Sequence, residues 1–159
     1  MPFWLKRTII IVAAVFVAIQ FIRPSRTNPP VNAGLEITSV QSVSPAAKSI
    51  LDRSCSDCHS NRTVWPWYSQ VAPSSWLVAS DVNGARRKMN LSEWGTYPEY
   101  RRLDRMKGIC DEVTRGNMPP WQFLLMHSAA RLSPADVNAL CQWTKASLPP
   151  APAAPAPSS

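Results

Sequence analysis

Only two of the 159 residues are histidine, His59 and His127, so a site with two imidazole ligands must use both. Cysteine is almost as sparse. The four present, Cys55, Cys58, Cys110 and Cys141, are too few for a disulfide-built scaffold, although an even count after an apolar segment fits an oxidising compartment. One close cysteine pair exists and no second one. A zinc site at Cys55, Cys58 and His59 would therefore have to recruit Cys110 or Cys141 from far along the chain. No βαβ alternation surrounds the pair, which removes the context of a thioredoxin-like redox motif. No internal repeat is present.

Acidic residues are absent before Glu36. The net charge of +7 is therefore uneven: four of the 17 basic residues (Lys6, Arg7, Arg23, Arg26) flank the N-terminal apolar run, and all 10 acidic residues follow it. The remaining 13 basic residues against 10 acidic ones leave +3 for the rest of the chain. That is ordinary. It argues against a nucleic-acid partner and allows at most a weakly basic face for an acidic redox partner.

Residues 8–22 are almost wholly apolar, bounded by Lys6-Arg7 and Arg23. They predict a single N-terminal transmembrane helix within residues 1–23, serving as a membrane anchor. Fifteen helical residues reach about 22 Å, short of a ~30 Å hydrocarbon core, so snorkelling lysine and arginine and an interfacial Phe3, Trp4 and Leu5 would have to complete the span. The alternative is a cleaved signal segment, with Val31-Asn32-Ala33 as the cleavage site. Residues 24–44 are polar and proline-interrupted and predict an extended linker. A globular domain follows over 45–148, and the Pro/Ala-rich residues 149–159 predict a disordered tail. The globular part is small, roughly 110 residues even when counted from Glu36, and a packed apolar cofactor would enlarge its core.

Cys55-Ser56-Asp57-Cys58-His59 is the C-x-x-C-H pattern of covalent haem attachment. Two thiols three positions apart on a helical turn reach the two vinyl groups along one side of a porphyrin, and the adjacent imidazole binds iron as the proximal ligand. A helix leads into the motif, with Ser44 as N-cap and Pro45 at the first helical position. For the sixth position the main candidate is Met118, in Asn117-Met118-Pro119-Pro120. It follows a helix predicted over 100–115, which Gly116 closes, and the two prolines stiffen the next turn. His127 is the alternative distal ligand; Met/His ligation raises the reduction potential.

Ser133-Pro134-Ala135-Asp136 opens a closing helix, with Ser133 as N-cap and Asp136 near its positive end. Cys110 and Cys141 each lie on an apolar helical face, either as a disulfide clamping two helices or as two separate buried thiols. Seven tryptophans are available, and Trp65 and Trp67, close behind the haem motif, are candidates to wall a haem pocket. Arg86-Arg87-Lys88 is either a solvated face or a contact for haem propionates or an acidic partner.

Taken together, the blocks Cys55 to Tyr68, Ala72-Pro-Ser-Ser-Trp76, Asn90-Leu-Ser-Glu-Trp94, Met118-Pro-Pro, His127 and Leu132-Ser resemble the small bacterial haem-binding domain family, which is cytochrome-c-like with an N-terminal membrane segment. The resemblance spans about residues 45–147. It implies an all-α, small cytochrome c-like helical domain around one covalent haem c; one-electron transfer by such a carrier needs no catalytic acid or base. It also implies export before haem attachment, hence a single-pass protein of the bacterial inner membrane with its C-terminal domain in the periplasm, or a soluble periplasmic protein if the signal is cleaved. The expected function is that of a mono-haem electron carrier serving redox partner proteins in or near the membrane. The alternative is a haem-based sensor or peroxidase-like enzyme with an open sixth site.

Overall fold

The computed structural model describes residues 2–149, and every regular element among them is helical. Eight α-helices follow in order: α1 Phe3–Ile19, α2 Ile37–Val40, α3 Pro45–Ser54, α4 Ser56–His59, α5 Ser74–Lys88, α6 Glu99–Thr114, α7 Trp121–Met126 and α8 Pro134–Ala146. Short 3-10 turns at Ala33–Leu35, Trp67–Gln70, Leu91–Thr96 and Ser128–Ala130 join them.

The helix boundaries have local causes. Ser44 accepts from the Ala47 N–H and Pro45 fills the first position of α3. At α8, Ser133 and Asp136 satisfy each other's backbone N–H groups in a capping box. Gly116, at φ +71, stops α6 in the left-handed conformation that costs glycine nothing.

Helix α8 packs across both α3 and α6, and α4 packs on α5. Trp94, Met106 and Leu140 are the largest fully buried apolar side chains, joined in one cluster by Ile50, Leu51 and Val113. The two buried indoles find polar partners, as indoles inside a core must. Trp94 Nε1 donates to Gln41 Oε1 at 3.1 Å and Trp143 Nε1 to the Ser42 carbonyl at 2.9 Å. A Cys110–Cys141 disulfide, with Cα atoms 4.8 Å apart, clamps α6 to α8.

The expected transmembrane helix is not there. Helix α1 has 17 residues, and among the described residues no helix is long and apolar enough to cross a membrane. The helix ends at Ile19, and the side chain of its C-cap residue Gln20 lies on the body of the protein: its Nε2 donates to the Ala72 carbonyl at 3.2 Å, and its Oε1 accepts from the Ala72 N–H at 2.9 Å. At ~1.5 Å per residue, 17 residues rise about 25 Å, short of a ~30 Å hydrocarbon core. The expectation of a single-pass inner-membrane protein is overturned with it.

The segment expected as an extended linker, 24–44, makes hydrogen bonds to the domain. Arg26 donates to the Ser69 carbonyl, Asn28 to the Thr63 carbonyl, and Asn61 to the Pro30 carbonyl. Ile37 enters the core. Of the tail expected over 149–159, residues 150–159 lie outside the described residues.

Candidate functional site

Cys55 separates α3 from α4, with φ −124 and ψ −38. Its carbonyl nevertheless accepts from the N–H of Cys58 at 3.2 Å and of His59 at 2.8 Å, so the motif is wound into one tight turn. The hydroxyls brace it: Ser56 donates to the Leu51 carbonyl, Ser60 to Ser56, and Thr63 to Asp57. Asn61 and Asn90, both buried, join side chain to side chain at 2.8 Å and tie the motif's exit to the turn after α5.

His59 is held from the far end of α5. The Met89 carbonyl lies 3.0 Å from Nδ1. A carbonyl only accepts, so Nδ1 carries the proton and the lone pair is on Nε2. This is the usual arrangement of a metal-binding histidine. Burial lowers the affinity of the ring for a second proton, opposed by its hydrogen bonds to the backbone at Met89 and Ala85.

Both thiols are free and both are kept protonated. Burial, with a smaller push from Cys58, raises Cys55 to about 12. Burial, then the charge of Asp57, raises Cys58 to about 11.

An apolar cavity of about 450 Å³ opens beside the motif. Three walls line it. Cys58, Thr63, Val64 and Pro66 to Tyr68 form one, Leu77, Val78, Asp81 and Val82 of α5 the second, and Trp121, Phe123, Met126 and His127 of the α7 segment the third. The volume falls within the ~300–1,000 Å³ typical of small-molecule and cofactor sites.

The structure brings together Cys58, Trp67 and His127 at this cavity. Cys55 and Met118 pack instead, partly buried, against the central apolar cluster, and His59 lies outside the cavity lining. Met118 is also drawn back to α6, its N–H donating to the Glu112 carbonyl at 3.4 Å. Trp65 turns away, its Nε1 donating to Asn28 Oδ1 at 3.1 Å. Arg86 likewise serves the fold. It donates to the Ser60 carbonyl, the Thr63 hydroxyl and Asn28, joining the motif to the N-terminal segment.

Two participants escaped the sequence reading. Tyr68 faces His127, its hydroxyl 2.8 Å from Nε2. Burial first, then the charges of Cys58 and Asp57, push the phenol above its ordinary range, so it stays protonated. Phe123 stacks on the same imidazole, with centroids 4.1 Å apart and planes at 7°. The Phe123–His127 spacing of four was a readable helical pair. The Tyr68 contact spans 59 positions and left no local trace.

Fold and cavity together define a small helical domain with an apolar cavity that carries the Cys58 thiol and the His127 imidazole in its lining. The model of the haem-binding domain family matches residues 14–146, and the chain belongs to that family. No curated protein and no solved structure matches it. The residues fit the group the family binds: a protonated thiol in the wall of an apolar cavity and, in the same motif, the His59 imidazole with its lone pair on Nε2.

Proposed function

We propose that this haem-binding protein is a mono-haem c-type cytochrome that carries single electrons between redox partner proteins. The observation that carries the reading is the Cys55–His59 turn beside the apolar cavity, with His59 Nδ1 fixed on the Met89 carbonyl. Cys55 and Cys58 would tether the haem by thioether bonds, and His59 would bind iron through Nε2.

Bound haem supplies a one-electron iron couple. The chain supplies the rest. The Met89 carbonyl fixes the orientation and tautomer of His59, and the wall residues offer the macrocycle an apolar surface. The disulfide clamp on α6 and α8 braces the cluster on which Cys55 and Met118 rest. That disulfide also supports maturation in an oxidising compartment.

Met118 is the proposed sixth ligand. It packs, as Cys55 does, against the central apolar cluster, and the chain that follows it enters the cavity wall at Pro120. His127 has the better place in the cavity wall, but its Nε2 is already engaged by Tyr68. A second reading, a sensor or peroxidase-like enzyme with an open sixth site, draws on the Tyr68–His127 pair facing the cavity while Met118 stays on the core.

Absorption spectra of matured protein separate these readings. Loss of the methionine–iron charge-transfer band in Met118→Ala, with retention in His127→Ala, supports the carrier with Met118. A low-spin spectrum without that band, altered only in His127→Ala, moves the ligand to His127. A high-spin ferrous spectrum with rapid CO binding overturns the carrier reading.

A further inference from the structure

We infer that Tyr68 is a positioning residue that keeps His127 off the haem iron and thereby reserves the sixth position for Met118. The inference rests on the proposed His59/Met118 ligation and adds what selects between two available ligands.

His127 occupies the wall of the cavity from the C-terminal end of α7, where its N–H still donates to the Phe123 carbonyl at 3.0 Å. Left unrestrained, it would be a strong competitor. Imidazole is a good iron ligand, whereas a thioether is soft and weak toward ferric iron. Three contacts restrain it. Phe123 stacks parallel to the ring, Tyr68 meets it edge-on at 72°, and the Tyr68 hydroxyl takes Nε2 at 2.8 Å.

The last contact engages Nε2 whichever way its proton points, and with Phe123 stacked on the ring it holds the imidazole against the Tyr68 wall. If the phenol donates, the Nε2 lone pair is occupied by that hydrogen bond. If the phenol accepts, Nε2 carries the proton and has no lone pair to give. In both cases the nitrogen farthest from the backbone is unavailable to a metal. Tyr68 itself is anchored in the Trp67–Gln70 turn, whose Tyr68 carbonyl accepts from Ser74 at the start of α5. The restraint therefore comes from the opposite wall of the cavity and does not depend on α7.

The test uses the matured full chain in three forms: wild type, Tyr68→Phe, and Tyr68→Phe combined with His127→Ala. Tyr68→Phe keeps the ring and removes only the hydroxyl. Wild type should show the methionine–iron band in the ferric state. Tyr68→Phe should lose most of it, stay low-spin, and shift to a lower reduction potential as imidazole replaces thioether. The double variant should recover both band and potential, which a merely structural role for Tyr68 would not produce. Full retention of the band in Tyr68→Phe overturns the inference, and so does a double variant that fails to recover it. A wild type without the band overturns it as well, and identifies the ligation reading as the part that failed.

Discussion

His59 and Tyr97 lie at the two ends of a single peptide unit. The Met89 carbonyl takes the His59 Nδ1 proton at 3.0 Å, and the Asn90 N–H of the same peptide donates to the Tyr97 hydroxyl at 2.9 Å. The Arg105 guanidinium sits 4.4 Å over the Tyr97 ring, and its Nε, buried without a hydrogen-bond partner, relies on that contact. A hydrogen bond at the N–H end of a peptide polarises its carbonyl, so Tyr97 strengthens the grip on His59 from outside the cavity.

Tyr97→Phe should therefore weaken the proximal hydrogen bond and raise the reduction potential of the matured protein, because a less electron-rich imidazole stabilises ferric iron less. It should also leave the buried Asn90 N–H without a partner. The expected loss of stability is ~1–3 kcal/mol. Potentiometry and urea unfolding of the two proteins read the two effects separately.

The disulfide closes a loop with a sequence separation of 31 between α6 and α8. Its loss should reduce stability by about 3–4 kcal/mol on the chain-entropy account. The comparison is urea unfolding of Cys110→Ser/Cys141→Ser with wild type. Met118 and Cys55 rest on the cluster these helices build, so the methionine–iron band of the variant should fade at lower urea than in wild type.

Much of this architecture was readable in advance because it rests on short-range chemistry. The caps at Ser44 and Ser133, the stop at Gly116 and the helix expected over 100–115, found at Glu99–Thr114, all follow from neighbours in sequence. The match to the haem-binding domain family agrees with the resemblance seen in the motif blocks. The transmembrane expectation failed on length: α1 has 17 residues, and no described helix is long and apolar enough to cross a membrane. Composition alone favours a span, but the helix ends at Ile19, and Gln20 makes its hydrogen bonds to Ala72, 52 positions away. Long-range contacts hid the docking of 24–44, the Met89 carbonyl on His59, and the Tyr68–His127 pair. The side of the core on which Met118 falls also depends on how α6 hands the chain back at Glu112, which no spacing rule encodes.

The cap of α8 should show a defined acid response. Hydrogen bonds from the Ser133 backbone and then its hydroxyl, followed by Arg53, hold Asp136 below the ordinary carboxylate value of 3.8. A carboxyl with a lowered value in the folded state favours folding above its unfolded value, and that contribution disappears as pH falls through the folded value. Wild type should thus lose stability below about pH 4 more steeply than Asp136→Asn. Thermal midpoints followed by far-ultraviolet dichroism from about pH 6 to pH 2 should converge at the acid end. Parallel curves would assign the acid response to other groups.

The central claim is covalent attachment at Cys55 and Cys58 with His59 against the iron. Intact mass of the denatured full chain, produced alongside haem-ligation machinery, tests it most directly. The account predicts a mass increased by one haem, no thiol left to alkylate, and loss of covalent haem in Cys55→Ser/Cys58→Ser. A chain of unmodified mass with two alkylatable thiols, from a host that matures other c-type cytochromes, would contradict it.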